Sequence, residues 1–589
     1  MFLPIDRKDM EKRGWDQVDF VLVTGDAYVD HPSFGTAIIG RVLESRGFRV
    51  AILAQPGWKD AEDFKRFGKP RLGFLINSGN VDSMVNHFSV FKNRRKRDVY
   101  SPGGRTGKRP DRAVIVYSGR AREAYKDTAV IIGGLEASLR RFAHYDYWDD
   151  RVRRSILLDS KADILIYGMG ERAVVEIAEA LASGIDAKDI TWIRGTSVKQ
   201  KEVCLQEDDI ILPDFERTAS SKESYCESFR LQYRSNDSVT GKKILEKYHG
   251  NIWVVQNPPQ PPLERIDLDD VYGLPFMMAS HPVYDALGGV PALEEVRFSI
   301  TANRGCFGGC AFCAITYHQG REVRSRSRES IAAEAARMTA MEDFKGYIHD
   351  IGGPTANFRG PSCKKQKEAG MCADRDCLFP SPCPALEADH REYMEILREV
   401  RNLPGVKKVF IRSGIRYDYL LADRKNDFLT ELCQYHVSGI LKVAPEHASA
   451  GVLKLMRKPE IEVFDRFRRM YRQTNKILGR KQYLIPYFIS SHPGSSLEEA
   501  VELALYMKAT GFVPDQVQDF YPTPGTLSTC MYYTERDPFT MEKVYVARTM
   551  EEKKMQRALL QFNKKENERL VRKALKAAGR EDLTEVLLR

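Results

Sequence analysis

The stretch RGCFGGCAFCAITYHQGR at 304–321 places Cys306, Cys310 and Cys313 within eight residues of one another. Thiolates are soft ligands that suit zinc and iron–sulfur clusters. A structural zinc takes four protein ligands, and no fourth cysteine stands near this trio. The spacing C-x3-C-x2-C instead suits a [4Fe–4S] cluster with one iron left open. Gly305, Gly308 and Gly309 let the loop wrap closely around such a group. The alternative is three ordinary core cysteines, but buried thiols rarely crowd a glycine loop in this way.

A second group, Cys363, Cys372, Cys377 and Cys383, lies in CKKQKEAGMCADRDCLFPSPC, with gaps of eight, four and five residues. These gaps fit neither a zinc ribbon nor a ferredoxin. The segment is charged, contains proline and has few apolar residues from which to build a core. Four thiols there suggest that a metal orders it, as an iron–sulfur cluster or as zinc, with free thiols as the alternative. His390 is a reserve ligand.

The elements that must position these thiols form two strand–helix series. In the first, DFVLVTGDAY (19–28), FRVAILAQ (48–55), RLGFLINSG (71–79), TAVIIGG (128–134) and ADILIYG (162–168) read as strands. GTAIIGRVLESRG (35–47) and ERAVVEIAEALASG (171–184) read as helices, so the pattern predicts a doubly wound α/β domain over 1–195. Residues 196–290 read as irregular and end in a proline-rich linker (256–276). The second series, over 291–535, has strands expected at 295–302, 345–353, 406–414, 438–447, 481–491 and 515–525, and predicts a partial (βα)6 barrel with a cysteine-rich insertion at 360–390. In such barrels reactive groups sit at the C-terminal ends of strands. In SSLEEAVELALYMKATG (495–511), Ser495 and Glu498 read as a capping box and Gly511 as the stop. Residues 536–589 read as a basic helical tail.

The cysteine trio, with the aromatic Phe312 before its last member, resembles the signature of the radical S-adenosylmethionine (SAM) superfamily. Together with RFSITANRGCFGGCAFCAITYHQGREVRSRS, DIGGPTANF, LKVAPEHAS and PDQVQDFYPTPGT, it resembles the YgiQ-type radical SAM proteins over most of the chain. The resemblance implies that Cys306, Cys310 and Cys313 hold the three closed irons while the open iron takes SAM. It implies that Phe312 lies against the adenine and that Gly352 and Gly353 match the glycine pair that binds SAM's amino group. The following acid of that motif is here Pro354. Ser413, Arg416, Glu446 and Ser490, at later strand ends, are candidates to contact SAM or substrate, with capping or ion pairing as the alternative. A flavodoxin- or ferredoxin-type electron donor is also implied. Methyl transfer, methylthiolation and rearrangement or cyclisation are the reactions left open.

In the N-terminal domain, GDAYVDHPSFG (25–35), IIGGLEAS (131–138) and YGMGERA (167–173) follow strands, where α/β sheets bind ligands. Their order resembles the cobalamin-binding domains that precede many radical SAM barrels. The Asp-x-His-x-x-Gly motif of base-off binding is absent, and His31 stands in DHPSFG instead, so the alternative is a domain that keeps the fold without cobalamin. GMGERA formally fits a dinucleotide loop, but Glu171 at the helix start would repel a pyrophosphate. GGRTGKRP (103–110) is one residue short of a phosphate loop and lacks its hydroxyl residue. The basic run KNRRKRDVYSPGGRTGKRPDR (92–112) reads as a solvated face, with RNA or another anionic partner as the alternative.

The chain has 589 residues and a net charge of +10, from 91 Lys and Arg against 81 Asp and Glu. Its start is charged where a signal peptide would be apolar, and no apolar run reaches membrane length. A cytoplasmic protein is therefore expected, with its eleven cysteines as thiols. The competing function is a non-catalytic iron–sulfur protein that senses redox state or binds nucleic acid. Such a protein needs neither an open iron nor the glycines of DIGGPTANF.

Overall fold

The computed structural model describes residues 1–424, 427–514 and 516–588. Asp515, the first residue of the sixth expected barrel strand, and Arg589 lie outside the described residues. The chain divides into two compact units, Met1–Thr301 with Tyr317–Gly320, and Ala302–Thr316 with Arg321–Arg589.

The first unit is built on a nine-stranded sheet. Its parallel part runs in the spatial order Val50–Ala54, Phe20–Thr24, Gly73–Asn77, Ala129–Ile132, Ile164–Ile166. In chain order this is 2-1-3-4-5, with the reversal between Phe20–Thr24 and Gly73–Asn77. These strands are nearly all apolar because both sheet faces are covered. Val21, Val23, Phe74, Ile76, Val130 and Ile132 feed one core. Their neighbours Phe20, Leu22, Leu75 and Ile131 feed the other. The alternation follows from the two-residue period of a strand. All five expected parallel strands and the helices Gly35–Ser45 and Glu171–Ala182 are present.

Residues 196–256 depart from the expectation of irregular chain. Thr196–Gln200, Ile252–Gln256, Ile244–Tyr248 and Ile210–Ile211 continue the same sheet past Ile164–Ile166, the first three as an antiparallel set. Gly250, at φ 74°, sits in the tight connection between Ile244–Tyr248 and Ile252–Gln256, a left-handed position that suits glycine. The proline-rich stretch is extended only at its start and then forms the helix Arg265–Gly273.

In the second series, strand pieces fall inside all six expected segments: Ser299–Thr301, Tyr347–Ile348 with Asp350–Gly352, Lys408–Val409, Ile440–Glu446, Tyr483–Ser490 and Gln518–Asp519. Tyr347–Ile348 pairs in parallel with Lys408–Val409, and Ile440–Glu446, Tyr483–Ser490 and Gln518–Asp519 form a parallel ladder. The helix Leu497–Thr510 lies between two of these strands. Its capping box is Ser496 with Glu499, one residue later than expected, because Ser495 instead donates its hydroxyl to Gln556. The basic C-terminal segment is not a free tail. The helices Met550–Leu560 and Glu568–Ala577 bury Met555, Leu559, Val571 and Leu575 against Val501, Leu503 and Met507 of that helix. Basic residues occupy the outer faces, and apolar ones at helical spacing turn inward.

Candidate functional site

The cysteine loop starts where Asn303–Arg304 pairs with Arg324–Ser325, so the chain leaves and returns through a short antiparallel clasp. The Ala311 amide donates to the Met456 carbonyl, and the Ala311 carbonyl accepts from the Ser528 amide at 2.9 Å. Phe307 stacks on Phe358 at 3.8 Å and meets Tyr419 edge-on, which anchors the loop in a small apolar cluster. These contacts leave Cys306, Cys310 and Cys313 half-buried and grouped, none of them in a disulfide.

Burial raises the Cys306 thiol and pushes Cys313 up to about 12, with the neighbouring cysteines adding to both shifts. Without a metal, Cys306 and Cys313 are therefore protonated, and a metal that binds them must displace those protons. The countercharge is Arg416. Its Nη1 lies 3.5 Å from Cys310 Sγ and 3.4 Å from the Gly308 carbonyl, while its other nitrogens donate to Asp418. A side chain on Gly308 would collide with this guanidinium, so the glycine there makes room for the cation. Asp418, which sequence reasoning missed, is buried with its carboxyl held below the usual range: burial opposes ionisation, but Arg416 overcomes it.

The other expected residues divide. Gly352 and Gly353 are required by packing, since a Cβ on Gly352 would strike Ser413 and one on Gly353 would strike Asn303. The Gly352 carbonyl already accepts from the Ala302 amide at 2.6 Å. Asn303 donates to the carbonyls of Thr355 and Phe358, while its side-chain oxygen is buried without a hydrogen-bond partner. Ser413 is engaged by Asp350, which accepts from its hydroxyl and amide. Ser490 donates to Asp519, itself paired with Arg557. Glu446 ends its strand at φ 75°, a left-handed conformation rare outside glycine. It is buried, which raises its carboxyl, and Oε2 has no hydrogen-bond partner. Phe312 meets buried His492 edge-on at 6.1 Å. Burial holds His492 neutral, at about 3.

No single polar residue in the sequence marks Asn303 or Asp350, because their partners lie up to 63 residues away. Asp418 stands only two residues from Arg416, but its role depends on that guanidinium reaching the cysteine loop, 106 residues away in the chain. Arg321, unassigned from sequence, pairs with Asp376, which also pairs with Arg457 at 3.1 Å. His390 is not a ligand in reserve. It is fully buried, bonded to Asp423 at 2.8 Å and Asn357 at 3.0 Å, and stacked on Phe428.

The first unit has its own pocket, across the C-terminal ends of its parallel strands. Leu22, Leu75, Ile131 and Ile166 form an apolar floor, and Gly133 and Gly168 lie on the turns that follow two of those strands. Glu171, at the start of its helix, lines the pocket, as the case against a pyrophosphate requires. His318 also lines it, with Nδ1 buried and without a hydrogen-bond partner. Burial, then the charge of Arg141, lowers this ring to about 4, so it is neutral imidazole. His31 does not line the pocket; it is fully buried and accepts from the Ser33 amide at 3.0 Å. In the basic run, Arg109 is buried between Asp26 and Asp98 rather than solvated. Among the described residues no helix is long and apolar enough to cross a membrane.

Residues 2–299 match the radical SAM N-terminal domain family, and residues 515–586 match a domain of unknown function, DUF3362. A UPF0313 protein of Clostridium botulinum (strain ATCC 19397 / Type A) is 57% identical over 582 residues, covering 99% of this chain and 90% of that protein. A UPF0313 protein of Clostridium perfringens (strain SM101 / Type A) is 57% identical over 583 residues, covering 99% and 88%. Among solved structures, the radical S-adenosylmethionine methyltransferase TsrM from Kitasatospora setae, with cobalamin and a [4Fe–4S] cluster bound, aligns at TM-score 0.48 and 14% identity over 87% of this chain and 78% of that one. The cobalamin-dependent S-adenosylmethionine radical enzyme OxsB aligns at TM-score 0.47 and 11% identity, covering 88% and 56%.

Proposed function

The chain belongs to the UPF0313 family of radical SAM proteins, and from that premise we infer an enzyme in which Cys306, Cys310 and Cys313 hold a [4Fe–4S] cluster beside a SAM site. The observation that carries this reading is the setting of the trio: three thiols on one glycine loop, with a buried guanidinium 3.5 Å from Cys310 Sγ. A cation at that distance favours thiolate over thiol and balances the negative charge of thiolate-bound iron. When bound and reduced, such a cluster supplies one electron to SAM, yielding methionine and a 5′-deoxyadenosyl radical that takes a substrate hydrogen.

This chain's residues do the rest. Asp418 fixes the direction of Arg416, and Gly352 and Gly353 let Ser413 and Asn303 pack close against the end of their strand. Asn303 Oδ1 and Glu446 Oε2 are buried acceptors in need of donors, and the amino and ribose groups of SAM are donors of that kind. Phe312 and His492 offer an apolar edge that shields the site from water. A flavodoxin- or ferredoxin-type protein is the electron donor, and methyl or methylthio transfer or rearrangement the reaction class. The pocket of the N-terminal unit is the candidate cobalamin site, with neutral His318 the imidazole on its lining.

Electron paramagnetic resonance of the anaerobically reduced protein tests the SAM site. Added SAM is expected to change the signal of the reduced cluster, and an unchanged signal would favour the redox-sensing alternative. Titration with hydroxocobalamin tests the pocket: a visible-band shift that His318→Ala weakens is expected, and an unshifted spectrum rules cobalamin out.

A further inference from the structure

All four cysteines of the insertion, Cys363, Cys372, Cys377 and Cys383, line a single small pocket, with Lys365, Arg375 and Asp376 on its wall. We propose that these four thiols bind a second metal centre, ligated by thiolates and separate from the trio. The inference does not depend on the trio's cluster or on SAM cleavage.

Gaps of eight, four and five residues scatter the cysteines in sequence; the fold brings them together. Cys363 is the N-cap of the helix Lys364–Ala369, and Gly370 ends that helix with a left-handed turn that leads the chain back to Cys372. The Cys383 amide donates to the Cys377 carbonyl at 2.9 Å, which closes the second half of the segment on itself. Cys377 Sγ lies 3.2 Å from Ser362 Oγ, next to Cys363 in the chain. The thiols stay free and half-buried rather than pairing as disulfides. Soft metals take thiolate ligands, and all four thiols line one pocket under partial cover; among the described residues they do not yet form a closed metal-ligand group.

Charge agrees. Four thiolates around a divalent metal or a cubane cluster leave a net negative site, and the pocket wall supplies Lys365 and Arg375, while the wall's acid, Asp376, is paired with Arg321 and Arg457. The segment has few other sources of order: between Ala369 and Arg391 it has no helix or strand, and its Leu378, Met371, Leu386 and Ala388 join the small cluster around Phe307 and Phe358. Asp376 ties the segment to Arg321 and Arg457, and Gln366 donates to the Arg321 carbonyl. The proposed centre is thus held next to the loop of the trio, and its loss would loosen that loop's support.

The test uses the full chain, purified and reconstituted without oxygen, with iron, acid-labile sulfide and zinc counted per chain. The variant Cys306→Ser/Cys310→Ser/Cys313→Ser is expected to keep a metal: about four irons with sulfide if the centre is a cluster, or about one zinc if it is a single ion. Adding Cys372→Ser and Cys377→Ser is expected to remove it. A folded triple variant free of iron, sulfide and zinc would overturn the proposal. If the triple variant fails to fold, alkylation of the wild-type protein decides. Cys363, Cys372, Cys377 and Cys383 are expected to resist iodoacetamide until a chelator is added, whereas exposed Cys204 reacts at once. Reaction of all four at the rate of Cys204 before chelation would overturn the proposal.

Discussion

At the trio, burial keeps the thiols of Cys306 and Cys313 protonated, while a buried cation beside the loop favours the opposite, ionised form. Arg416 is that cation, and it is directed by Asp418 through bonds from two nitrogens. Lysine cannot reproduce a planar fork that binds an aspartate and a sulfur loop together. Arg416→Lys is therefore expected to lower cluster content or SAM cleavage by about 10–100-fold, the usual cost of disturbing a group that supports metal ligands. Iron counting with 5′-deoxyadenosine assay checks this, and wild-type values for both would remove Arg416 from the site. Glu446 makes a different case. A buried carboxylate oxygen without a partner, on a residue at φ 75°, is strain of the sort that collects at functional sites. Glu446→Gln preserves shape and removes charge, so iron content should hold while SAM cleavage falls about tenfold or more. Equal loss of both would assign Glu446 to folding instead.

At the scale of elements, strand–helix alternation was legible wherever a strand is buried on both faces, since FVLVT or VAILA admits few other readings. Thr196–Gln200 and Ile244–Tyr248 were missed because TSVKQ and ILEKY carry lysines among their apolar residues. The grouping of the three cysteines was legible as well, because they are close together in the chain. Asn303 near Gly353, or Asp350 at Ser413, arises only when strands far apart in sequence meet. The C-terminal helices were recognised as helices, but their basic surface concealed an inward apolar stripe. Leu559 is fully buried in that stripe. Leu559→Ala should cost about 2–5 kcal/mol, as large-to-small core changes do, read from the midpoint of urea unfolding. A change within about 0.5 kcal/mol, as for an exposed site, would mean that the helix does not pack.

Over the whole molecule, the sheet of the first unit makes stability depend on pH through Glu246. This side chain is fully buried and accepts from the Ala143 amide and the Tyr248 hydroxyl. Burial raises its carboxyl from 4.5 to about 7 despite those bonds. Below pH 4.5 both folded and unfolded chains hold the proton. As pH rises toward 7 only the unfolded chain releases it, so stability falls across that window, by on the order of 3 kcal/mol. Glu246→Gln should flatten the change between pH 5 and 8 in urea unfolding of the first unit, and an equal slope in both proteins would exclude Glu246 as its source.

A radical SAM site on the glycine loop of this UPF0313 chain is tested most directly by the formation of 5′-deoxyadenosine when the anaerobically reconstituted protein is given SAM and dithionite. 5′-Deoxyadenosine is expected from the wild type and none from Cys306→Ala, Cys310→Ala or Cys313→Ala. Tightly bound zinc at the trio, with SAM left intact, would contradict a radical SAM site there.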